Sequence, residues 1–99
     1  MVGIVWTPNA RNDLLRVRDF LAAHSSEAAS KAVRTIRSGI DTLKQAPEAD
    51  RAIDWLPAGY REWIIPFGKG AYVVLYRTHE NRIVIQALRH GRESGYSGG

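Results

Sequence analysis

The chain has 99 residues, with 14 Lys and Arg against 10 Asp and Glu, a formal charge of +4 and a sequence pI near 9.9. It contains no cysteine, which excludes a disulfide framework and any thiolate zinc site. No apolar run approaches the roughly 20 residues needed to cross a bilayer. The start, MVGIVWTPNAR, lacks the basic-then-apolar layout of a signal peptide, so the expectation is a cytoplasmic protein with no membrane contact. The length fits one domain with a modest core. The positive charge suits a polyanion or an acidic protein partner, although a charge of this size also serves solubility alone.

In chain order, Val2 to Trp6 is a short β-branched run that reads as a strand. Thr7 and Pro8 then start a helix: a hydroxyl caps it, and proline suits its first turn. Ala10, Leu14, Val17 and Leu21 follow at the 4-3-4 spacing of one helical face, which Leu15 and Phe20 widen. His24-Ser25-Ser26 breaks the pattern, and Ser25 or Ser26 caps a second helix with Glu27 at its positive end. Ala29, Val33, Ile36, Ile40 and Leu43 carry that helix to Lys44, and Pro47 closes it. Gly39 inside it costs about 1 kcal/mol relative to alanine, unless another element packs closely there.

The segment from Ala46 to Gly59 holds two prolines and no period, so it reads as a connection, with Ile53, Trp55 and Leu56 against the domain edge. Three strands follow: Tyr60 to Ile65, Ala71 to Arg77, and Arg82 to Leu88. The first turn is Pro66-Phe67-Gly68-Lys69-Gly70, with both glycines suited to positive φ. The second is Thr78-His79-Glu80-Asn81. The fold expected is α+β, in the order β-α-α-β-β-β, with a helical hairpin packed on one face of a small, mainly antiparallel sheet. One domain spans 1–96, with a flexible tail at 97–99. The other sheet face is left partly open to a partner.

The sequence offers no metal site, since His24, His79 and His90 lack ligand spacing. Gly68-Lys69-Gly70 is too short for a phosphate loop, and no cofactor is implied. What remains is a basic set on the sheet and beyond it: Arg61, Lys69, Arg77, Arg82, Arg89, His90, Arg92 and Tyr96. Arginines stabilise a phosphorane or grip a phosphate backbone, and His or Tyr moves protons. The same arginines also bind acidic protein side chains, or simply keep strand edges soluble. Strand alternation puts Arg61, Trp63 and Ile65 on one face, and Arg82, Val84, Gln86 and Leu88 on one face. It does not decide which of these faces the helices. Trp6, Trp55, Trp63, Tyr60, Tyr72 and Tyr76 are read as packing rather than a base-stacking surface.

With TPNARNDL after the opening strand, GYREWIIPFGKGAYVVLYR across the sheet and the RHGRE ending, the chain resembles the RelE/ParE superfamily of type II toxins, on its ParE-like side. The resemblance implies a growth-inhibiting toxin, a plasmid-stabilisation type of module, neutralised as a hetero-oligomer by an antitoxin that binds DNA with one end and wraps the toxin with a largely helical, acidic and apolar tail. ParE-like members poison DNA gyrase by binding it, which implies no catalytic residue here. The alternative is a RelE-like endoribonuclease that cuts mRNA on the ribosome. There the resemblance assigns Arg61 and Arg77 to the nuclease site, Tyr96 to its C-terminal tyrosine and His90 to proton transfer. One departure weighs against the ribosome. Ribosome-dependent members place several basic residues ahead of the first strand after the helices, whereas this chain has Glu48, Asp50 and Asp54 against Arg51. Such an edge repels a polyanion.

Overall fold

The computed structural model describes residues 3–45 and 59–92. The elements run β1 (Gly3–Trp6), α1 (Pro8–Ala22), α2 (Ser26–Leu43), β2 (Tyr60–Phe67), β3 (Gly70–His79) and β4 (Arg82–His90). They form the expected α+β arrangement, two helices on a four-stranded sheet of order β1-β4-β3-β2. β1 runs parallel to β4, and the remaining pairs are antiparallel. The expectations for Val2, for the connection with Pro47, Ile53, Trp55 and Leu56, for the acidic edge at Glu48, Asp50 and Asp54, for Tyr96 and for the tail at 97–99 lie outside the described residues.

Both helix starts are made by the side chains expected. Thr7 Oγ1 accepts the Ala10 N–H and Ser25 Oγ accepts the Ala28 N–H, each at 3.1 Å. These bonds satisfy donors that an uncapped first turn leaves without a helical acceptor. α1 buries Ala10, Leu14 and Val17; α2 buries Ala29, Ala32, Ile36, Ile40 and Leu43. Leu15 and Phe20 do not widen the buried stripe, being 40% and 70% exposed. They fall on the turn-to-turn positions that face away from the sheet. The core closes on Tyr72, Val74 and Tyr76 of β3 and on Ile83, Ile85 and Leu88 of β4.

Gly39 has the close neighbour that its place in a helix calls for. A Cβ there would lie 2.8 Å from the Ile65 side chain, and Trp63 Nε1 donates to the Gly39 carbonyl at 2.9 Å. β2 therefore packs directly on the backbone of α2, which fixes Trp63 and Ile65 on the helix-covered face.

Three local expectations are corrected. The β2–β3 turn is shorter than 66–70: Pro66 and Phe67 belong to β2 and Gly70 to β3. Of the two glycines only Gly68 takes positive φ (59°). A Cβ at Gly70 would instead come within 3.3 Å of His90 Nε2, a tight contact that the ring would have to yield to. The next hairpin turns on Glu80 and Asn81 alone, both at positive φ, the primed geometry that matches strand twist. Lastly, Gln86 has no partner across the ladder, since Leu75 pairs with Ala87 and Tyr76 with Ile85. This bulge resets the alternation, so Leu88 joins Ile83 and Ile85 in the core rather than sharing a face with Arg82 and Val84.

Candidate functional site

The face of the sheet away from the helices is less open than the sequence implies. Val73, Leu75 and Ala87 are buried there, and Tyr60 packs against Leu75 and Ala87. Ile64 at its margin is 49% exposed. Among these apolar groups stands a carboxylate that sequence reasoning missed. Glu62, 5% exposed, faces Arg89 with Oε2 3.7 Å from Nη2. Alternation along β2 was the available signal, because Glu62 interleaves with Arg61 and Trp63 and takes the opposite face.

The predicted basic residues divide between two ends and two faces of the sheet. Arg61 lies opposite Tyr76 and shares the helix-covered face with Trp63 and Ile65. Arg77 lies opposite Tyr60 on the other face, next in alternation after Val73 and Leu75. Arg82 is at the same end as these two, on the second face beside Gly3. Lys69 sits in the β2–β3 turn at the far end, together with Arg89, His90 and Arg92. From the Arg77 rung to the Val73 rung, where Arg89 pairs, is about 13 Å at strand rise.

His90 is held on several sides. Its ring meets Tyr72 edge-on, with centroids 5.5 Å apart. Its Nδ1 accepts the Arg92 backbone N–H at 3.1 Å, and the Gly91 N–H donates to the Ala71 carbonyl at 2.8 Å. Arg89 Nη1 reaches the His90 carbonyl at 3.3 Å. The end of β4 is thus a compact basic turn, with one imidazole nitrogen occupied as an acceptor. Among the described residues no group of three or more His, Asp or Glu is placed to hold a metal ion, and no helix is long and apolar enough to cross a membrane.

The second feature missed from sequence is Asp13, 3% exposed. β1 ends beside Ile85, and from there side chains of the α1 segment take over the edge of β4. Thr7 Oγ1 donates to the Ile85 carbonyl at 2.8 Å, and Asn9 Nδ2 donates to the Gln86 carbonyl at 3.0 Å. Asp13 Oδ2 accepts the Leu88 N–H at 2.9 Å, and Arg16 Nη2 donates to the Leu88 carbonyl at 3.4 Å. These four residues of TPNARNDLLR replace a missing strand and hold the bulged half of β4 that leads into Arg89 and His90.

A helical hairpin on a β1-β4-β3-β2 sheet, with basic groups around its ends, makes a small two-layer α+β domain. The chain belongs to the family of ParE toxins of type II toxin–antitoxin systems (parDE), whose model matches residues 4–95. It is 33% identical over 93 residues to Toxin RelE3 of Caulobacter vibrioides, covering 94% of this chain and 98% of that one. It is 30% identical over 84 residues to Toxin RelE1 of the same organism, covering 85% and 87%. Its fold is similar to that of a chain from the chromosomal ParDE toxin–antitoxin system of P. aeruginosa, with a TM-score of 0.74, 25% identity and coverage of 91% and 96%. Membership brings an antitoxin partner with it.

Proposed function

We propose that this toxin inhibits growth by binding and poisoning DNA gyrase, acts in the cytoplasm, and is held inactive by its antitoxin as part of a plasmid-stabilising or chromosomal module. The observation that carries the reading is the separation of Arg61 from Arg77 by the sheet itself. A nuclease must bring its cations and proton-transfer groups to within about 3 Å of one reacting centre. Here Arg61 and Arg77 occupy opposite faces, His90 uses Nδ1 to hold a turn, and Arg89 faces the Glu62 carboxylate. A phosphodiester approaching that face would meet the carboxylate as well as the guanidinium. Binding to a protein target requires none of these groups to converge.

The test is titration of antitoxin-free protein into gyrase supercoiling of relaxed plasmid with ATP. Loss of supercoiled product with accumulating broken DNA is the expected result. Normal supercoiling at large toxin excess, with mRNA cut in a translation extract, would establish the ribosome-dependent alternative instead.

A further inference from the structure

The helical hairpin holds most of the chain's excess charge, with seven Lys and Arg against four carboxylates over residues 8–45. Five of those cations lie along one seam. Residues seven apart are two turns apart on a helix. Arg11 and Arg18 therefore line one side of α1, and Arg37 and Lys44 line one side of α2, with Arg34 a turn earlier. The two sides meet at two grooves of about 460 and 440 Å³. Arg11, Arg37 and Lys44 border the first, and Arg18 and Arg34 border the second. The carboxylates beside them are already engaged, Asp19 with Arg18 at 2.9 Å and Asp41 with Lys44 at 3.7 Å. Among the described residues no carboxylate pairs with Arg11, Arg34 or Arg37, and all three are exposed.

We infer that this seam grips the sugar–phosphate backbone of duplex DNA, without reading its sequence. The phosphates meet Arg11 on one helix and Arg34 and Arg37 on the other, whose planar guanidiniums match phosphate oxygens. The apolar faces of the deoxyriboses lie over the floor between Arg18 and Arg34, built from Ala22, Ala29 and Val33. That groove has no aromatic ring among its lining residues, so nothing there stacks an unpaired base. From Arg34 to Lys44 is about 15 Å of helix, the rise of about four phosphates along one strand. On the sheet's second face a phosphate would meet the Glu62 carboxylate beside Arg89; along the seam it meets cations first. A toxin seated on gyrase beside cut DNA uses this contact to hold the duplex. That use rests on the gyrase reading, whereas the affinity for DNA does not.

The experiment is fluorescence anisotropy of antitoxin-free toxin with short labelled duplexes, of DNA and of RNA, over a salt series. Unaltered toxin is expected to bind unrelated DNA sequences equally. Its log affinity should fall against log salt with a slope of about −3, roughly one for each of Arg11, Arg34 and Arg37. Arg34→Gln with Arg37→Gln should bring the slope to about −1 and weaken binding at low salt by at least about tenfold. Lys31→Gln removes an exposed cation that borders neither groove and should change little. With gyrase present, the double variant should accumulate less broken DNA than Lys31→Gln. Thermal unfolding checks that the double variant is folded. Should it not be, Arg11→Gln on the other helix replaces it, with a slope shallower by about one. Equal binding by the double variant and Lys31→Gln, or no binding by unaltered toxin at low salt, would overturn the inference. Tighter binding to duplex RNA than to duplex DNA would overturn the choice of DNA. DNA binding with normal gyrase supercoiling at toxin excess would overturn the gyrase reading and leave the DNA site standing.

Discussion

The Asp13 carboxylate accepts the Leu88 backbone N–H at 2.9 Å, across 75 residues of sequence, at the place where β4 has lost a strand neighbour. Arg16 lies 3.7 Å from the same carboxylate and donates to the Leu88 carbonyl. Both backbone groups of Leu88 thus have side-chain partners on α1. Asp13→Ala removes the acceptor and leaves a buried N–H and the Arg16 guanidinium without it. The expected loss is about 1–3 kcal/mol, the usual cost of a buried donor left unsatisfied. Asp13→Asn keeps an oxygen in place and should lose less. Urea unfolding checks both: the midpoint falls further for alanine than for asparagine, with the slope unchanged.

Gly39 and Ile65 give a prediction whose sign runs against helix propensity. Gly to Ala inside a helix ordinarily gains about 1 kcal/mol. Here the added methyl would lie 2.8 Å from Ile65, in a core where overpacking costs about 1–3 kcal/mol. Gly39→Ala is expected to destabilise, and Ile65→Val, which removes one methyl, to recover part of that loss. A double-mutant cycle by thermal unfolding measures this coupling. Additive single changes would mean that the contact does not constrain the pair.

These two pairs show where the sequence was legible and where it was not. Thr7 and Ser25 as caps, the helical stripes and the element order follow from local chemistry, and each appears in the fold. Arg61, Trp63 and Ile65 keep the alternation they show in the chain. The bulge at Gln86 does not announce itself, because alternation assumes an unbroken ladder, and so the face of Leu88 came out wrong. Asp13 carries no signal of burial in the sequence, and its partner appears only once β4 lies beside α1. Alternation puts Glu62 on the face opposite Arg61 and Trp63, but only the strands placed beside β2 show that it is buried there. Phe20 looks like core by residue type, and only the packing of the hairpin leaves it exposed. What sequence cannot supply is long-range pairing, and the candidate site depends on it.

The division of Arg61 and Arg77 between faces makes the proposed function testable by genetics. Residues that act together on one transition state are grossly non-additive when removed. Residues on opposite faces of a binding protein that share no partner add much more nearly, although Arg61 and Arg77 lie on adjacent rungs of one ladder. Arg61→Ala and Arg77→Ala are therefore expected to weaken growth inhibition independently, with the double variant showing the product of the two effects. Dose–response of growth against toxin expression, corrected for protein level, measures this. A double variant no weaker than the poorer single one would place both arginines in one catalytic unit.

Glu62 and Arg89 form the interaction on the second face whose removal should be felt most. Both are largely shielded, and breaking a buried pair by deleting one member costs about 3–5 kcal/mol when burial is complete. Arg89 retains partial exposure, with 18% of its side chain accessible, so the loss here should be smaller. Glu62→Ala leaves the guanidinium without this carboxylate and is expected to lower the denaturation midpoint. Glu62→Ala combined with Arg89→Met removes both charges and should recover part of the stability. Binding to the target is a separate matter. If Arg89 contacts it, the double variant is stable and non-toxic, and melting curves beside growth assays distinguish the two roles.

His90 separates structure from catalysis most directly. Its Nδ1 accepts the Arg92 N–H, and its ring lies edge-on to Tyr72. Asparagine can place an oxygen near the position of Nδ1 but cannot exchange protons near neutral pH. Phenylalanine keeps the ring and drops the acceptor. Should His90 serve to hold the turn, His90→Asn retains growth inhibition, and His90→Phe loses about 1 kcal/mol of stability for the missing hydrogen bond. His90→Ala, which loses ring and acceptor together, should be the least stable of the three. Should His90 transfer a proton, all three variants would be equally non-toxic whatever their melting temperatures. Growth inhibition by His90→Asn at a level near the unaltered toxin would remove His90 from any catalytic role, and that is the outcome expected.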